Sequence, residues 1–270
     1  MSVPPAVAGG TDSGDTLMQT WLLGLIIVGA SVLLAHVGLR LVRRRVPLPV
    51  HETQHEVGGF IIGVMGAIYA VLLAFVVVAV WDEFSDAKLV VESEANHLND
   101  LSRMGQGFSP ATRQLVLEGL RNYARAVVDE EWETMSRGEP SQRAQAAMDD
   151  LWGIYTRVEP QEGRESLLFA ESLDRLNELS NSRRQRLFIS KDDIPGLIRI
   201  LLWGGGLIVL AFTYFFGVKS IRSQALMTAA LAGEIAFILF LIVALDNPFH
   251  GSVRVSPEPV QQILERIGTQ

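Results

Sequence analysis

The chain has 270 residues, 49% of them hydrophobic and 20% charged, with a net charge of −7. Without a stripe of bases interleaved with aromatics, that balance excludes an electrostatic nucleic-acid interface. The absence of cysteine excludes disulfides, thiol catalysis and cysteine-based metal centres.

The apolar residues gather into four nearly charge-free runs, each long enough to cross about 30 Å of hydrocarbon at about 1.5 Å per residue. Residues 1–20 hold no Lys or Arg and read as a flexible tail, lacking the basic start of a secretory signal. The first span covers residues 21–42, with Trp21 as an interfacial anchor and Arg43, Arg44 and Arg45 stopping its far end. The second covers 59–81. The third runs from about 194 to 218, started by Asp193 and Pro195. The fourth covers about 225–245. Short connections at 43–58 and 219–224 make two helical hairpins, at 21–81 and 194–245.

Between the hairpins, residues 82–193 form a polar domain with 22 acidic and 14 basic residues. After Trp81 no breaker intervenes, and Ala87, Val91, Ala95, Leu98 and Leu101 recur at three- and four-residue spacing. Span two is therefore expected to run on as one helix of roughly 45 residues until Gly105 and Gly107. Ser109-Pro110 reads as N-cap and first position of a helix to about Met135. Breaks follow at Gly138-Glu139-Pro140 and at Glu159-Pro160, with a restart at Ser141 and a last helix over about 163–188. The expected fold is all-α: four transmembrane helices in two hairpins, a helical extramembrane domain between them, and a C-terminal tail over 246–270.

Span two carries Gly59, Gly63, Gly66, Ala70 and Ala74, one small residue per turn on one stripe. Such a stripe permits close helix packing in lipid, or it lines a pore. Glu234, near the middle of span four, is the one acid well inside a span. An ionisable group there faces the protein interior or a water cavity, as a structural carboxyl or as part of an ion pathway. At the exit of span two, Asp82, Glu83, Asp86, Glu92 and Glu94 read as a solvated face or, in an oligomer, as a ring that concentrates cations. Arg183, Arg184 and Arg186 read as anchors for lipid headgroups.

His51 and His55, in HETQHEVGG, satisfy H-E-x-x-H literally and could present two imidazoles to zinc. A third ligand and a cleft would be needed for metalloprotease chemistry, and neither is visible. A plain polar loop is the simpler reading, as a buried histidine is for His36. No phosphate loop or nucleophile elbow occurs, so neither an enzymatic activity nor a cofactor is implied.

The stretch Tyr69-AVLLAFVVVAVW-Asp82, then Glu92-Ser93-Glu94-Ala95, resembles the bestrophin-like family of bacterial integral membrane proteins. Tyr123 with Glu131-Trp132 continues the resemblance, as do Leu245-Asp246-Asn247-Pro248-Phe249-His250-Gly251 and Pro257-Glu258-Pro259. These landmarks fall in order from about residue 55 to 265. The family is distantly similar to the bestrophin channels, which are pentamers whose second helix lines a pore and continues into a cytosolic helical domain. The resemblance implies a homo-oligomeric, pentameric ion channel of the bacterial inner membrane, with the lipid bilayer and permeant ions as its partners. Taken with the small-residue stripe, the exit residues and the intramembrane acid, it makes Gly59, Gly63, Gly66, Ala70, Trp81, Asp82, Glu83 and Glu234 candidates for the ion pathway. A bestrophin typically carries arginine and paired tryptophans at the exit of span two, where this chain has Trp81-Asp82-Glu83-Phe84, which weakens any carry-over of chloride selectivity and leaves the selectivity undetermined. The positive-inside rule nearly cancels between the two sides, leaning slightly towards an outside domain, whereas the family analogy puts the domain in the cytoplasm. The alternative function is a non-conducting membrane scaffold or sensor that binds a partner through its helical domain.

Overall fold

The computed structural model describes residues 12–45, 52–160, 163–215, 220–251 and 253–269. All regular elements among them are helical: α1 (Asp12–Arg45), α2 (Glu52–Gly105), α3 (Pro110–Ala126), a π-helical turn (Val127–Glu131), α4 (Trp132–Met135), α5 (Gln142–Arg157), α6 (Arg164–Ile189), α7 (Gly196–Tyr214), α8 (Ile221–Leu245) and α9 (Glu258–Gly268). Four of them contain stretches long and apolar enough to cross a membrane: Trp21–Arg45, Gly58–Gly105, Gly196–Tyr214 and Ile221–Leu245. The chain divides into two compact units, one of residues 1–81 with 193–246 and the other of 82–192 with 247–270.

In the first unit α1 packs along α8, and α7 packs against both. Glycines bring these helices together: a Cβ on Gly24 would lie 3.0 Å from the Phe240 ring, and one on Gly38 2.9 Å from the Tyr214 hydroxyl. The sequence pairs span one with span two as chain neighbours, but the long seam of α1 is with α8, because the glycines of α1 admit large side chains from α7 and α8. The α7–α8 hairpin is as expected. Residues 12–20, expected in the tail, are helical, since extending the helix of span one backwards requires no new nucleus. In the Gly204-Gly205-Gly206 run of α7, the last two glycines have a packing role. A Cβ on Gly205 or Gly206 would fall 2.8 Å from Tyr69, whose hydroxyl donates to the Leu202 carbonyl at 2.8 Å.

The expected continuation of span two is present and longer than anticipated. α2 is one helix of 54 residues, about 80 Å at about 1.5 Å per residue. In the second unit its Ala87, Val91, Ala95, Leu98 and Leu101 are all buried. Ser109 caps α3 by accepting from the Thr112 amide, with Pro110 at the first position, and Ser141 caps α5 through the Ala144 amide. Gly138 and Gly163 adopt φ of +73° and +96°, where other residues are strained, and so end and begin their neighbouring helices. The segment expected as a C-terminal tail is structured. Val260, Ile263 and Ile267 form the buried face of α9, which packs on α3. Arg121 donates to the Ile267 carbonyl at 3.0 Å and Arg266 to the Asn99 side chain at 2.9 Å, securing α9 from both partners.

Candidate functional site

In the first unit, α2 presents two faces to different surroundings. Tyr69, Leu73, Val76 and Val80 are buried, whereas Gly59, Gly63, Ala70 and Ala74 are exposed and Gly66 is half-buried. Among the described residues a Cβ built on Gly59, Gly63 or Gly66 would meet nothing within 4 Å. Among the described residues these three glycines therefore take no part in packing the chain's own helices. That work falls to Gly24, Gly38, Gly205 and Gly206.

Beside the stripe lies a groove of about 620 Å³ between α2 and α8, with Val209 of α7 at its edge. Gly66, Ala70 and Ala74 form one wall, Leu231, Ile235 and Ile238 the other, and Glu234 is its one charged lining residue. Glu234 stands 13 residues from the start of α8 and 11 from its end. It is exposed, and among the described residues it makes no hydrogen bond or ion pair. Two features that the sequence singled out separately, the small-residue stripe and the intramembrane carboxyl, thus share one concavity. Of the remaining candidates, Trp81 and Asp82 are exposed on α2 and Glu83 is half-buried. His36 is half-buried in α1. His51 and the side chain of His55 lie outside the described residues.

The second unit contains a site that the sequence reading missed. Arg186 of α6 is wholly buried and binds Glu94 of α2 through two bonds, Nε to Oε2 at 2.6 Å and Nη2 to Oε1 at 3.0 Å. Its Nη2 also reaches Glu131 Oε2 at 3.2 Å. Arg183, one turn earlier, grips Glu131 at 3.1 and 2.7 Å and donates to Gln145 at 2.6 Å. Tyr123 donates to Glu94 at 2.6 Å, and the Arg186 guanidinium lies 5.1 Å from the centroid of the Trp132 ring. The two carboxylates and two guanidinia balance, so four charges are buried with no net charge. The π-turn at Val127–Glu131 ends at this cluster. Its wider turn sets the consecutive residues Glu131 and Trp132 both into the core.

The cluster sets its own protonation. Burial alone would lower the Arg186 pKa. Glu94, by charge and hydrogen bonding, followed by Glu131 and Tyr123, outweighs it and holds the guanidinium above its ordinary value. Burial first, then the charge of Glu94, pushes the Tyr123 phenol well above its ordinary value, with Arg186 opposing. Arg183 and Arg186 are therefore ion-pair partners in a core, which corrects their reading as headgroup anchors. Only Arg184 of that trio is exposed. Glu94 likewise leaves the proposed ring of exit carboxylates, because its side chain is wholly buried.

The bestrophin-like domain profile matches residues 29–260. The chain belongs to the bestrophin-like family. No curated protein sequence matches this bestrophin-like chain. Its fold recurs in two solved crystal structures. A membrane protein carrying a proline-to-alanine substitution has a TM-score of 0.69 at 12% identity, covering 90% of this chain and 97% of its own. A bacterial bestrophin homologue from Klebsiella pneumoniae, with an isoleucine-to-threonine substitution, has a TM-score of 0.62 at 14% identity, covering 92% of this chain and 99% of its own. At these identities the likeness is one of fold.

Proposed function

We propose that this bestrophin-like protein is a homo-oligomeric ion channel of the bacterial inner membrane, pentameric by family analogy, with α2 lining the pore. The observation that carries the reading is the uncovered small-residue face of α2. Among the described residues a Cβ at Gly59, Gly63 or Gly66 would meet no neighbour within 4 Å, which leaves the face available to a lumen or to another copy. Glu234 supports it, because an unpaired carboxyl in the middle of a span costs about 2.5–3.5 kcal/mol on insertion scales and normally faces water or a partner. Trp81, Asp82 and Glu83 stand in sequence where α2 leaves its apolar stretch, and acids there favour cations near the mouth. The helical domain is assigned to the cytoplasm on the same analogy, and the family analogy also speaks against enzymatic activity.

The second reading is a non-conducting scaffold. Leu89 and Phe188, 58% and 71% exposed, flank a groove of about 590 Å³ in the helical domain and offer a partner an apolar foothold. Mass in detergent by light scattering, together with ion flux from proteoliposomes, separates the two. The channel reading expects an oligomer that dissipates an ion gradient. A monomer or dimer with no flux would overturn it.

A further inference from the structure

The groove between α2 and α8 has the make-up of a ligand site as well as of a wall. Its volume of about 620 Å³ falls inside the range of about 300–1,000 Å³ typical of small-molecule sites. It is concave because Gly66, Ala70 and Ala74 withhold large side chains from one wall. Its lining is apolar apart from two groups. One is the Tyr69 hydroxyl, which is already committed to the Leu202 carbonyl. Glu234 is the second, with no partner among the described residues.

We infer that this groove binds a lipophilic monocation, an apolar body carrying a single positive charge, seated with its charge against Glu234. A neutral acyl chain would fill the same space but leave the carboxylate unpaired in a medium where an unpaired charge is costly. An anion of equal size would meet repulsion from the groove's one charge. A hydrated inorganic cation would pair with Glu234 but gain nothing from the apolar walls. Charge complementarity and shape together select the monocation, whether or not the protein conducts.

The probe is radiolabelled tetraphenylphosphonium, measured by equilibrium dialysis against the full chain in phosphatidylcholine nanodiscs, with empty nanodiscs giving the partition background. Saturable binding above background is expected, at least about tenfold weaker in Glu234→Gln. Radiolabelled tetraphenylborate, of nearly the same shape and opposite charge, should show no saturable binding in a separate dialysis. Ala74→Leu keeps the carboxylate and fills the wall, and it too should abolish saturable binding, which provides a test if Glu234→Gln elutes as an aggregate. Equal affinity in Glu234→Gln, or in Ala74→Leu, would overturn the inference. So would saturable binding of tetraphenylborate, measured by itself at matching affinity, which would mark a groove that is merely apolar. An absence of saturable binding in the parent protein would overturn it as well, as expected if a second copy fills the groove.

Discussion

Replacing Arg186 with methionine probes the buried charge cluster most sharply. The substitution keeps an unbranched side chain and removes the charge and its donors. Lost with them are the two bonds to Glu94, the bond to Glu131 and the contact with the Trp132 ring. The consequences for the two carboxylates differ. Glu131 keeps both of its bonds from Arg183, whereas Glu94 keeps only the Tyr123 hydroxyl. One buried carboxylate is thus left without a counter-charge, at a cost of about 3–5 kcal/mol. At roughly 2–4 °C per kcal/mol for a chain of this size, the apparent Tm should fall by about 6–20 °C. The assay is thermal unfolding of the full chain in detergent, followed by the fraction still monodisperse on size exclusion. Arg184→Met is the control: this arginine is exposed on the same helix, α6, and its loss should move the Tm by less than about 2 °C. The double variant Glu94→Gln with Arg186→Met removes both charges and should recover at least about 2 kcal/mol of the loss. An Arg186→Met protein as stable as Arg184→Met, or a double variant as damaged as the sum of its parts, would refute the reasoning.

Three further outcomes follow from the same geometry. Gly205→Ala sets a Cβ 2.8 Å from the Tyr69 ring, so α7 or the tyrosine must shift, at a cost of about 1–3 kcal/mol readable as a lower Tm. The Tyr123 phenol has a raised pKa in the folded protein, so its contribution is complete below about pH 10 and is lost as pH climbs from there towards the folded value, by up to about 1.4 kcal/mol per pH unit. Tyr123→Phe should flatten that alkaline decline in denaturation curves and, at neutral pH, destabilise by about 1–3 kcal/mol through the lost bond to Glu94. If the α8 carboxyl lies on the ion pathway, Glu234→Gln should lower unitary cation conductance by about twofold or more, and unchanged currents would remove Glu234 from the pathway.

Much of the fold was legible because its signals are local. Long apolar runs, the spacing of Ala87, Val91, Ala95, Leu98 and Leu101, and the Ser109 and Ser141 caps each act within a few turns of helix. The misses are pairings between distant residues. Arg183 and Arg186 look like surface anchors because three arginines precede an apolar span. Only the fold brings Glu94 to Arg186, 92 residues away along the chain, and Glu131 to Arg183, 52 away. One signal pointed towards burial: Arg183 and Arg186 are three apart and fall on the face that holds Leu176 and Leu179. The seam of α1 with α8 was hidden for the same reason, since glycines reveal close packing but not the partner. α9 was readable from Val260, Ile263 and Ile267 after Pro257, but it is short and sits at the chain end, where a tail is the default. The stripe on α2 was visible in the sequence, whereas the open space beside Gly59, Gly63 and Gly66 among the described residues required coordinates.

The most direct test of the pore assignment is single-channel recording from purified protein in planar bilayers, parent and Gly66→Leu side by side. Light scattering should first confirm that both form the same oligomer. Among the described residues nothing lies within 4 Å of a Cβ at Gly66, so the added side chain meets no clash at its root. The account predicts unitary currents from the parent and none from the variant. Parent-like currents from a correctly assembled Gly66→Leu protein would contradict it.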